Sequence, residues 1–162
     1  MIVVSDTSPL TNLAAIGQFN LLREIYHDLA IPEAVWAELN AGGLGWPGRD
    51  AVAGASWVTC YSVQNRLAVA ALLDDLDAGE AEAIVLALEL GADLLLLDEV
   101  EGRHHAQRLG LHITGAIGIL QVAKHDGLID CVRPHLDALR GVAGFYISEA
   151  LYQFVLQTVD EQ

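Results

Sequence analysis

Five short apolar runs, separated by segments of helical length, leave this chain few folds to choose from. The runs are "IVVS" at 2 to 5, "LAI" at 29 to 31, "SWVTCYSV" at 56 to 63, "DLLLLD" at 93 to 98 and "LHIT" at 111 to 114, each with the length and composition of a strand. The intervening pattern predicts helices from Pro9 to about Tyr26, from Pro32 onward, and over roughly 65 to 75, 79 to 90, 100 to 109 and 116 to 125. Pro32 suits a first helical turn, and Gly127 suits a left-handed stop after the last of these helices. Strand and helix in alternation predict an α/β fold, a parallel sheet covered by helices on both faces. With 162 residues, 53% of them hydrophobic, the chain has the material for one domain with a substantial core.

Two stretches depart from the alternation. "NAGGLGWPGRDAVAGAS" gathers Gly42, Gly43, Gly45, Pro47, Gly48 and Gly54, and so predicts a flexible loop near 41 to 55, either a lid or partner-binding flap or a tolerated surface insertion. From about residue 133 the pattern is helical to the end, with Ser148 as an N-cap before "EALYQFVLQTV".

Acidic residues outnumber basic ones 22 to 8, a net charge of −14. Passive binding to nucleic acid is disfavoured by such a balance, because phosphate affinity comes from Lys and Arg. Some of these acids can instead be ligands for cations that supply positive charge locally. Cys60 and Cys131 are far apart and lack metal-ligand spacing, so free thiols in a reducing cytoplasm are expected. No run is long and uninterrupted enough to span a bilayer, which predicts a cytoplasmic chain without membrane attachment.

In an open parallel sheet, ligands bind beyond the carboxyl ends of the strands. Asp6 follows "IVVS" and Asp98 follows "LLLL", so both side chains are delivered to that crevice if the two strands are near each other. Either aspartate could also cap the helix after it. In "GEAEAIVLALELG", Glu82 and Glu89 are seven residues apart and mark a solvated side, while Glu80 lines up with Ile84 and Leu88 and points inward. A first-turn Glu favouring the helix dipole is the other reading of Glu80. Glu38 shares the face of Val35 and is a candidate for the crevice rim or an ordinary exposed helical acid. Glu99 and Glu101 either extend the acidic cluster or open the next helix. Arg103 and His104 stand near the site entrance, where Arg103 would contact phosphate or form a salt bridge.

Carboxylates gathered in one place repel unless protons or a cation neutralise them, and an all-oxygen donor set suits Mg²⁺ or Mn²⁺. Metal-assisted hydrolysis is the chemistry implied. There is no Walker-type phosphate loop, no G-x-S-x-G elbow and no H-E-x-x-H.

The blocks "VSDTSPLTNLAAIG", "IPEAVWAEL" and "GEAEAIVLALELGADLLLLDEVEGRHHAQRLGLHITGAIGIL", with the closing "RPHLDALRGVAGFYISEALYQFVLQ", resemble the PIN domain family, specifically the subgroup related to VapC-type toxin nucleases. The resemblance runs over nearly the whole chain. It implies a three-layer α/β/α sandwich with a central parallel sheet, forming a single PIN-like domain over 1–162. It further implies a metal-dependent ribonuclease whose acidic site maps onto Asp6, Glu38, Glu80 and Asp98. Asp6, Glu80, Asp98 and Glu99 would hold Mg²⁺ or Mn²⁺, Glu38 would complete the site directly or through water, Thr7 or Ser8 would order Asp6 or a water, and Ser8 and Arg103 would face the substrate. The third acidic position in the family is often Asp where this chain has Glu80, and the subgroup often has a second Asp where Glu99 stands. The implied partners are RNA, a small antitoxin with a basic segment, and a second copy in a homodimer. The alternatives are a PIN-like binding module without turnover and a nuclease acting on single-stranded DNA. A phosphoacceptor receiver is a weaker match, since no lysine follows the late strand.

Overall fold

The computed structural model describes residues 1–162. Its five strands are β1 (Val3–Ser5), β2 (Leu29–Pro32), β3 (Val58–Tyr61), β4 (Leu94–Leu96) and β5 (Ile113–Thr114), one for each apolar run. All pair in parallel in the order β3-β2-β1-β4-β5. Val3, Val4 and Ser5 of β1 face Leu94, Leu95 and Leu96 of β4. The chain thus builds outward from β1 to β3 and then crosses back to start the other half at β4. This reversal places the switch point of the sheet between β1 and β4.

Alternation along the strands divides the interior into two cores. Val3, Leu29, Ile31 and Leu96 face one core, while Val4, Ala30, Leu95 and Leu97 face the other, as the two-residue period of a strand requires. The first core is closed by α1 (Thr7–Ala15), α2 (Asn20–Tyr26), α8 (Ala116–His125), α9 (Arg133–Gly141) and α10 (Glu149–Thr158), joined by α3 (Glu33–Ala41) and α4 (Pro47–Ala53). The second is closed by α5 (Arg66–Leu72), α6 (Ala78–Leu90) and α7 (Val100–Arg108). The result is the α/β/α sandwich with a central parallel sheet.

The structure differs from the sequence reading in three places. The helix expected from Pro9 to Tyr26 is two helices, α1 and α2, because the chain turns at Gly17, whose φ of +73° suits glycine. The glycine-rich stretch read as a loop contains α4, started by Pro47 in its first turn and anchored by the buried Val52. Gly48 brings this helix against Leu39 and Thr11, so close that a Cβ would overlap both side chains. Finally, α6 has no solvated side over most of its length. Gly79 through Ala87 are all buried, and Glu82, read as a solvent-facing acid, is 7% exposed. Its carboxylate accepts hydrogen bonds from the Ala34 N–H at 3.1 Å and Arg66 Nη1 at 3.0 Å, partners that helical periodicity alone does not reveal.

No helix is long and apolar enough to cross a membrane. Cys60 and Cys131 are free and exposed.

Candidate active site

Asp6 lies at the carboxyl end of β1, next to the switch point. Its N–H donates to the Leu96 carbonyl of β4 at 2.9 Å, so the sheet ladder fixes its backbone, and the side chain is 3% exposed. As N-cap of α1 it makes no side-chain capping hydrogen bond. A carboxylate that neither caps its helix nor reaches water is free to serve elsewhere.

Glu38 arrives from the middle of α3. Thr7 Oγ1 donates to its Oε2, and the Gly79 N–H donates to its Oε1 at 2.9 Å. The fit is close, for a Cβ on residue 79 would overlap both Glu38 oxygens. Asp77 is the N-cap of α6, its Oδ1 accepting from the Glu80 N–H at 2.8 Å. The amino end of this 13-residue helix therefore faces Glu38 and Asp77 with N–H groups that have no partner within the helix and with the positive end of its dipole.

One carboxylate oxygen from each of Asp6, Glu38 and Asp77 falls within 4.8 Å of the others. Asp6 is buried, Glu38 half-buried and Asp77 exposed, giving the group a closed back and an open front. An all-oxygen set so arranged is compatible with a divalent cation.

Burial, reinforced by the charges of Asp77, Glu38 and Asp98, pushes the Asp6 carboxyl up to about 7, against the opposing hydrogen bond from the Thr7 backbone. Glu80, 8% exposed, is pushed up to about 8 by burial, by its hydrogen bond with Asp77, and by the charges of Asp77, Asp6 and Glu99. Gly102 of α7 packs on Glu80, where a Cβ would sit 2.9 Å from Oε2. Both carboxyls therefore hold protons near neutrality in the metal-free protein.

The other residues singled out in the sequence take different places. Asp98, half-buried beyond β4, accepts from the Ala116 N–H at 2.9 Å and from Asn12 Nδ2 at 3.4 Å. Burial raises its carboxyl, opposed by these two donors and by Arg103. It borders the three-oxygen group without joining it. Arg103 turns inward, its Nη1 donating to the Leu97 carbonyl at 3.1 Å. Glu99 is the exposed N-cap of α7 with no side-chain capping bond. Ser8 is half-buried in the first turn of α1, and it is Thr7, the residue before it, that reaches an acid of the site.

Asp77 was missed in the sequence. "DAGE" carries the D-x-x-E pattern of a helix start, which explains the residue completely as a cap. Only its approach to Asp6 and Glu38 reveals a further use.

A protein-family model described as a PIN domain matches residues 2–161. No curated protein matches the chain.

Proposed function

Because the chain belongs to the PIN domain family, we propose that it is a divalent-metal-dependent endoribonuclease, hydrolysing phosphodiester bonds of single-stranded or structured RNA. The observation that carries this reading is the convergence of Asp6, Glu38 and Asp77 oxygens within 4.8 Å at the switch point of the sheet. Those three residues would hold Mg²⁺ or Mn²⁺, with Glu80 and Asp98 bordering the ion. A cation bound there supplies Lewis acidity toward a phosphoryl oxygen and lowers the pKa of water.

This chain's own residues supply the frame. Thr7 and the Gly79 N–H fix both oxygens of Glu38, so its carboxylate is positioned before substrate arrives. Burial and the neighbouring Asp77 push the Glu80 carboxyl up to about 8 in the metal-free protein, so the acids assemble without a full set of negative charges before a cation enters. Asn12 and the Ala116 N–H steady Asp98 at the border.

Within the family, the proposal extends to the toxin side of a toxin-antitoxin pair. A small antitoxin with a basic segment complements the net charge of −14, and the toxin acts as a homodimer. The same charge favours a second reading, a PIN-like module that binds protein partners without turnover.

Incubating purified protein with mixed single-stranded RNA, and separately with single-stranded DNA, in Mg²⁺, Mn²⁺ or EDTA tests these readings. RNA cutting that needs the ion and falls on the order of 100-fold in Asp6→Asn and Asp77→Asn is expected, the scale of removing one electrostatic contributor. Cutting of DNA alone redirects the substrate assignment. Equal behaviour of wild type and variants leaves the binding module.

A further inference from the structure

Beside the acidic group, a groove of about 460 Å³ runs from Asp98, Arg103 and Gly115 to Phe145, Tyr146 and Phe154. Its near end includes Asp98, whose charge acts on Asp6 of the candidate site. Its far wall presents aromatic surface to solvent, with Tyr146 85% exposed and Phe154 59% exposed. Folding would ordinarily cover rings of this size, and two of them so open beside a cavity are surface available to a ligand. The only charged side chains lining the groove are Asp98 and Arg103, a neutral balance within a chain of net charge −14. It is thus a path by which a polyanion can approach the acids with little repulsion from the groove walls.

Resting on the nuclease reading, we infer that this groove seats a nucleobase neighbouring the cleaved phosphodiester of a single-stranded nucleic acid, stacked against Tyr146 and Phe154. Aromatic side chains beside a backbone-tracking site are how single strands are held without base pairing, because every base has a π face. The volume is within the ~300–1,000 Å³ typical of small-ligand pockets, whereas a stable second copy of the chain would need about 800 Å² of buried surface on each partner. A duplex would not present an unstacked base to these rings, so the groove also selects for single-stranded substrate.

Steady-state cleavage and anisotropy of labelled RNA and DNA oligonucleotides separate this inference from the reading it rests on, using wild type, Tyr146→Ala, Phe154→Ala, Tyr146→Phe and Asp6→Asn proteins. Each alanine variant is expected to raise KM and weaken oligonucleotide binding roughly tenfold, the scale of one lost stack, with a much smaller change in kcat. Tyr146→Phe, which keeps the ring, retains wild-type KM. Stronger effects on RNA or on DNA identify which strand the groove takes, and either supports the inference. Unchanged KM and binding in the alanine variants, beside cutting that Asp6→Asn abolishes, overturns the groove and leaves the nuclease standing. Oligonucleotide binding that the alanine variants weaken, with no cutting by wild type, keeps the groove and removes the nuclease. Neither binding nor cutting overturns both. A wild-type dimer in sedimentation that the alanine variants dissociate, with KM unchanged, assigns the surface to a second copy and overturns the inference.

Discussion

Asp6 concentrates the tension of this site in one side chain. Its carboxyl rises from 3.8 to about 7 chiefly because burial penalises the charged form. In the metal-free protein the folded chain therefore keeps a proton that the unfolded chain has released, and stability falls as pH climbs from about 4 through about 7. Glu80, raised from 4.5 to about 8, adds a fall of the same sign over a slightly higher window. Thermal unfolding in EDTA should show Tm dropping by on the order of 10 °C between pH 5 and pH 8. Asp6→Asn should remove much of that drop, and a wild-type Tm flat with pH would contradict it. Gly79 invites a different test, since the absent Cβ is what lets Glu38 approach the amino end of α6. Gly79→Ala should keep the far-ultraviolet circular dichroism of wild type while losing about 10- to 100-fold in cleavage, the usual scale for removing an outer support of a metal site. Asp6 was legible in the sequence because a strand end aims it at the crevice. Asp77 was not, since a local capping role accounts for it fully and the approach of Glu38 comes from a separate helix.

At the scale of elements, α6 organises its surroundings. Its amino end offers N–H groups to Glu38 and Asp77, and its next turn sends Glu82 to the Ala34 N–H at the start of α3 and to Arg66 at the start of α5. Two helices, α3 and α5, are thus set against α6, and α3 brings Glu38 to the site while α6 carries Glu80 and is capped by Asp77. Glu82→Ala leaves the Ala34 N–H without its acceptor and should destabilise by about 1–3 kcal/mol in urea unfolding. Arg66→Ala, at the exposed end of the same pair, should cost less than about 1 kcal/mol. Equal losses would mean that the ion pair, not the backbone cap, holds the helices together. Periodicity assigned Glu82 to solvent because helical spacing records which residues share a face and is silent on what covers that face. In α4 the composition misled in another way: glycines suggested a loop, whereas Gly48 serves close packing of a helix on Leu39 and Thr11.

For the whole molecule, the sheet order makes the site. β1 and β4 are neighbours although 88 residues separate Ser5 from Leu94, and their shared end is where Asp6 meets the acids brought by α3 and α6. A cation bound only by the folded chain should raise stability by about 2.7 kcal/mol at a hundredfold excess over Kd, or about 5–10 °C in Tm. Mg²⁺ or Mn²⁺ at pH 8 should give that rise, EDTA should reverse it, and Asp6→Asn should blunt it. An unchanged Tm would leave the acidic group without a cation.

The sequence by itself determined the five strands, most of the helices between them and the α/β class, because these follow from hydrophobic periodicity within short windows. It also determined that Asp6 and Asp98 end their strands. Only the tertiary structure decided that β1 and β4 pair, that Asp77 joins Asp6 and Glu38 while Asp98 turns to Asn12 and Ala116, and that Glu82 is buried. Those outcomes depend on which distant surfaces pack together, and a carboxylate's role is set by the donors and charges that packing brings within a few ångströms of it.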